Sequence, residues 1–128
     1  MKYDLSRIEA ELEIPRDWET FREDNLLSVY NSTNGVGALQ ISAYEAPEYN
    51  RINLKDELVD YLGINSEEAK LESSNTHSYY NFVDNQNVYW RYWMIKKDGK
   101  IILASYNCGK EDIEIEVEVI NKMIRSIL

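Results

Sequence analysis

The chain has 128 residues, 44% of them hydrophobic and 29% charged, with only two prolines; this is the profile of one folded domain and excludes a disordered chain. Acidic residues outnumber basic ones by 23 to 14, for a net charge of −9, which disfavours nucleic acid and anionic membrane surfaces as partners. A basic partner fits this charge, and so does an acidic surface that serves only solubility.

Cys108 is the single cysteine, so no intrachain disulfide is expected. The first residues, Met-Lys-Tyr-Asp-Leu-Ser-Arg-Ile-Glu-Ala-Glu, have no apolar core of a signal peptide. No apolar stretch approaches the ~20 residues of a membrane helix. The expectation is a cytoplasmic protein, with residues 1–128 forming a single domain.

Ile8, Ala10, Leu12 and Ile14 alternate with Arg7, Glu9, Glu11 and Glu13, which predicts a half-buried strand over residues 7–14. Ser6 and Glu9 have the spacing of a helix capping box, but the strict alternation and Pro15 favour the strand. Residues 15–18 read as a turn, with Trp18 as a core anchor. Leu26 to Tyr30 predicts a short strand, Asn31 to Gly35 a turn, and Val36 to Tyr44 a second strand with Leu39, Ile41 and Ala43 on one face.

Asn53 is an N-cap for a helix carrying Leu54, Leu58, Tyr61 and Leu62, and Gly63 ends it. Ser66-Glu67-Glu68 fits the start of a further short turn, and residues 72–76 read as a loop. Ser78 to Val83 predicts a strand, and residues 84–87 a turn. From Lys110 to Leu128, alternation at Ile113, Ile115, Val117 and Val119 competes with a stripe at Ile113, Val117, Ile120, Ile124 and Ile127. The stripe runs through the whole segment, acidic residues lead it and Lys122 and Arg125 follow, so it predicts a helix.

Residues 89–106 carry the strongest local signal. Two aromatic and β-branched runs flank Asp98-Gly99, a pair suited to the positive φ of a tight hairpin turn. A two-residue turn pairs Lys97 with Lys100, Ile95 with Ile102, Trp93 with Ala104 and Arg91 with Tyr106. Tyr89 shares that face, and Trp90, Tyr92, Met94, Ile101, Leu103 and Ser105 take the other. Both faces are apolar at their middle, which predicts a central hairpin in a sheet covered on both sides. Burial in the core is the favoured reading of these aromatics. Trp90, Tyr92, Arg91, Trp93 and Tyr106 are the candidate binding residues, because an Arg among Trp and Tyr has the composition of an interface hot spot. The structural alternative stacks the Arg91 guanidinium on Trp93 or Tyr106, with its charge near an acidic side chain.

No catalytic pattern is visible. His77, the only histidine, has no cysteine at metal-ligand spacing, and no serine sits in a nucleophile elbow. His77 reads as a surface residue and Cys108 as inert in its acidic setting. No phosphate loop, calcium loop, cofactor motif or metal site is present in the sequence pattern.

Leu12-Glu13-Ile14-Pro15-Arg16-Asp17-Trp18, then Val36 to Tyr44, then the Trp-rich hairpin and a C-terminal helix ending Ile124-Arg125-Ser126-Ile127, together resemble small bacterial proteins of the PsbP-like group. That fold is shared by the Ran-release factor and by bacterial secretion adaptor chaperones. Within the group the likeness is to an uncharacterised bacterial domain family, and it covers most of the chain through packing residues only. It implies an α+β fold: one central, mainly antiparallel sheet of about six strands in an α/β/α sandwich. It also implies a binding or adaptor role rather than an enzyme, and it assigns no functional residue. The expected function is a protein-binding module, such as an immunity or adaptor/chaperone protein of a bacterial toxin or secretion system. Small-molecule binding beside the hairpin is the alternative, and an enzyme the weaker third.

Overall fold

The computed structural model of the protein describes residues 5–46, 48–64, 72–74 and 76–128. In chain order the elements are α1 (Leu5–Glu11), β1 (Trp18–Glu23), β2 (Leu26–Asn31), β3 (Gly37–Glu45), α2 (Leu54–Leu62), β4 (Glu72–Ser73), β5 (His77–Val83), β6 (Val88–Lys97), β7 (Lys100–Gly109) and α3 (Ile113–Ile127). The strands form one antiparallel sheet in the order β1-β2-β3-β7-β6-β5-β4. The fold is thus α+β, and β4 at the edge of the sheet is only two residues long.

The β6–β7 hairpin sits at the centre with the register that Asp98-Gly99 predicts. Lys97 pairs with Lys100, Ile95 with Ile102, Trp93 with Ala104 and Arg91 with Tyr106. Asp98 and Gly99 have φ of 52° and 78°, the left-handed values such a turn needs. β3 lies along β7 over nine pairs and β5 along β6 over seven.

Helices cover the two faces unequally. α1 and α3 share one face, where Leu5, Ile8, Leu12, Ile120, Met123, Ile124 and Ile127 pack on Leu27, Val29, Leu39, Ile41, Trp93, Ile95, Ile102 and Tyr106. On the other face α2 alone packs Leu54 and Leu58 against Met94, Ile101 and Leu103. Asn53 caps α2 as expected, its side chain accepting from the Asp56 N–H, and Gly63 closes it at φ 65°.

Two expectations are corrected, and one strand is added. Residues 7–14 do not form a strand; their first half lies in α1. Leu5, Ile8 and Leu12 are buried at helical spacing and Ala10 is exposed, so the helical period buries Leu5 with Ile8 and Leu12, whereas the alternation required Ala10 inside. The strand that follows, β1, was not evident, because Trp18-Glu19-Thr20-Phe21-Arg22-Glu23 is an exposed edge with little apolar alternation. Residues 72–76, read as a loop, include β4, which pairs with Ser78 and Tyr79. The turn expected at Ser66-Glu67-Glu68 lies outside the described residues.

Gly37 is required by close approach. A Cβ there would collide with the Asn107 carbonyl oxygen and come within 2.9 Å of the Tyr106 hydroxyl. Because the obstacle is backbone in the central sheet, Gly37→Ala is expected to cost about 2 kcal/mol, read as a fall in thermal midpoint. An unchanged midpoint would show that β3 can move off β7 freely.

Candidate functional site

The hairpin register divides the five candidate residues between two faces. Trp90 and Tyr92 lie on the α2 side. Their rings stack at 5.9 Å, and Tyr92 stacks in turn on Phe82 at 6.3 Å. Tyr80 follows Phe82 at 5.7 Å, and Tyr61 of α2 meets Tyr92 edge-on at 6.1 Å. Alternation along β5 and β6, held by the pairs Tyr80–Tyr92 and Phe82–Trp90, is what brings these side chains to one face. β5 and α2 thus supply three rings that the hairpin alone did not reveal; Tyr80 and Phe82 were legible only by pairing β5 with β6.

α2 is nine residues long, and among the described residues it leaves much of this face uncovered. Across the sheet, Tyr92 pairs with Ser105, Ser105 with Gln40, Gln40 with Ser28 and Ser28 with Phe21. The result is a polar, half-buried floor with aromatic side chains at both ends. Phe21 and Tyr61 are each 56% exposed, and Tyr44 is 41% exposed. Partial burial, then the proximity of Tyr61 and Glu57, pushes the Tyr44 hydroxyl above its usual pKa. Burial and Tyr61 do the same to Tyr92.

Asp84 anchors the rim. Its carboxylate accepts from the Val88 and Gln86 backbone N–H groups, each at 2.9 Å, and from the Trp90 indole N–H at 3.0 Å. The bond from Val88 contributes most, then that from Trp90, and together they hold Asp84 below the usual carboxylate range.

Arg91, Trp93 and Tyr106 lie on the opposite face. Tyr106 is only 1% exposed, so it is a core residue and not a contact for a partner. Its hydroxyl donates to Glu116 of α3 at 2.8 Å, which satisfies a carboxylate buried against the sheet. Burial first, then the Glu116 bond, drives the Tyr106 pKa far upward. Trp93 is 3% exposed. The Arg91 guanidinium lies 4.7 Å from the Tyr79 ring centroid and 5.2 Å from that of Trp93. The expected acidic neighbour is not there: among the described residues no carboxylate pairs with Arg91.

His77 and Cys108 do not meet. They pair with Ile95 and Tyr89 respectively, six residues apart on β6, or about 20 Å along a strand. His77 stacks on Tyr79 at 6.4 Å, with Nδ1 3.1 Å from the Thr76 hydroxyl. Cys108 is 3% exposed; desolvation, with Asp112 and Glu116 nearby, pushes its thiol up and keeps it protonated. Among the described residues, no group of three or more His, Cys, Asp or Glu side chains could hold a metal ion, and no helix is long and apolar enough to cross a membrane.

No protein-family profile matches the chain, and no curated protein matches it in sequence. Its fold is similar to that of a crystal structure of a protein from Bacteroides thetaiotaomicron VPI-5482, with a TM-score of 0.56 and 19% identity over 77% of this chain. The match spans 38% of that protein's length, and at this identity the likeness is one of fold alone.

The bonds to Asp84 set a pH dependence. Because its folded pKa is depressed, its contribution to stability is present above the unfolded carboxylate pKa of about 3.9 and is lost as the pH falls through the folded value. Asp84→Asn keeps an acceptor and removes the titration. Between about pH 5 and pH 3 the thermal midpoint of this variant is expected to fall less than that of the unaltered protein. Parallel curves would mean that Asp84 is not coupled to the fold.

Proposed function

We propose that the protein is a binding module that docks a basic protein surface on its open aromatic face, as an immunity or adaptor/chaperone protein of a bacterial toxin or secretion system would. The observation that carries this reading is the run of stacked rings from Trp90 through Tyr92 and Phe82 to Tyr80, with exposed Tyr61 at its side. Exposed or half-exposed aromatics on a rigid sheet are efficient anchors, because they offer large area at little conformational cost. The polar floor of Ser28, Gln40 and Ser105 suits a wet, complementary contact rather than a hydrophobic core.

Charge chooses the partner's sign. Asp84 borders Trp90, Glu57 lies near Tyr44, and Glu19 and Glu23 flank Phe21 on β1. With the net charge of −9, this rim attracts a cationic surface and repels nucleic acid. The proposed role is binding rather than catalysis, in the cytoplasm, with kinship to the PsbP-like group. The buried thiol of Cys108 and its separation from His77 support that reading.

The test is selection from a displayed library of random peptides against the full chain. Binders are expected to be enriched in Lys and Arg with an apolar anchor. Tyr61→Ala, at an exposed site, is expected to weaken them about tenfold while changing stability by less than about 0.5 kcal/mol. Trp90→Ala should weaken them further and lower the thermal midpoint slightly through the lost Asp84 bond. Enrichment of acidic peptides, or equal binding by both variants, would overturn the proposal.

A further inference from the structure

On the face opposite the aromatic run, β5, β6 and the last turns of α3 line an open cleft of about 180 Å³. Its polar and aromatic lining comes from His77, Tyr79, Arg91, Trp93, Asn121 and Arg125, with Ile124 and Leu128 as aliphatic wall. In a chain with 23 acidic residues, this cleft is lined by two arginines and a histidine and by no Asp or Glu side chain.

Arg91 is half-buried and Arg125 is exposed to water. Among the described residues neither Arg91 nor Arg125 has an ion-pair partner. The Arg91 Nε is buried and makes no hydrogen bond, a loss that costs a charged donor more than a neutral one. The Tyr79 and Trp93 rings stabilise the positive charge through their faces, at 4.7 and 5.2 Å. Ring faces do not accept from the in-plane N–H groups of a guanidinium, and of these the Nε of Arg91 is the one buried without an acceptor. A carboxylate supplies two acceptors in the plane of that fork.

We infer that this cleft binds a small organic monocarboxylate, with Arg91 taking the carboxylate, Arg125 adding charge, and Trp93, Tyr79 and the aliphatic wall holding an apolar body. Size and charge both fit. A water occupies about 30 Å³ of liquid volume, so the space suits a compact acid. The −9 chain penalises a dianion more than a monoanion, which favours carboxylate over phosphate. The proposal is independent of the partner surface, since alternation along β6 puts Trp90 and Tyr92 on the other side of the sheet.

The experiment titrates the full chain with benzoate, acetate and inorganic phosphate, read by calorimetry and by the NMR signals of the arginine Nε–H groups and the tryptophan indoles. Benzoate is expected to saturate with a Kd of about 1 mM or tighter, acetate about tenfold more weakly, and phosphate more weakly still. The Arg91 Nε–H and Trp93 indole signals should move together. Arg91→Lys keeps the charge but loses the fork and is expected to weaken benzoate about tenfold. Arg125→Gln lies at an exposed helix position, should fold normally, and should weaken benzoate several-fold, so the test survives a poorly folded Arg91 variant. Absence of saturable benzoate binding would overturn the inference, and so would tighter phosphate binding, a benzoate response that leaves Arg91 and Trp93 unmoved, or unchanged affinity in Arg125→Gln.

Discussion

The ten-pair ladder between β6 and β7 is the constraint on which the other elements depend. A slip of one residue would send Trp93, Ile95, Ala104 and Tyr106 to the opposite side of the sheet, because strand side chains alternate with a period of two. Asp98 and Gly99 prevent that slip by closing the hairpin in a conformation that few other residue pairs adopt. β3 and β5 then take their places against β7 and β6, and each helix meets a face already sorted into its side chains.

The two faces are finished differently. Beneath α1 and α3 the strands present Leu27, Val29, Leu39, Ile41 and Ile102, all buried. On the other side the same strands present Ser28, Gln40 and Ser105 between aromatic ends. The middle of that face is polar, and among the described residues its deep apolar contacts with α2 are Met94, Ile101 and Leu103. A hydrophobic floor of the same area would require a second long helix or a permanent partner.

Local signals were legible in the sequence where one turn or cap decides the outcome. Asp98-Gly99 gave the hairpin and its register, Asn53 and Gly63 bounded α2, and the stripe through Ile120, Ile124 and Ile127 marked α3. Residues 7–14 misled because Ile8 and Leu12 satisfy both the period of two and the helical period, and only burial against β2 and α3 chooses between them. β1 was obscure because an edge strand has one neighbour and no need of apolar alternation. The candidate sites were half visible. Trp90, Tyr92, Arg91 and Trp93 stood out in one strand, whereas Tyr61, Asn121 and Arg125 reach them across elements distant in sequence, where no local pattern carries the information. Tyr106 looked similar to Trp93 in sequence, and the buried Glu116 beneath it is what marks it as core.

The far end of the hairpin also joins segments made at very different times. The Lys97 ammonium donates to Glu11 at 2.8 Å and to the Ile127 carbonyl at 3.0 Å. The Arg7 guanidinium donates to Asp98 at 2.9 Å, and the Glu13 N–H to the Ser126 hydroxyl at 3.0 Å. α1 therefore completes its seat only when the last turn of α3 is in place, long after its own residues have been made. Until then Leu5, Ile8 and Leu12 have only part of their cover, and the acidic residues among them, Glu9 and Glu11, favour water for that stretch while it waits.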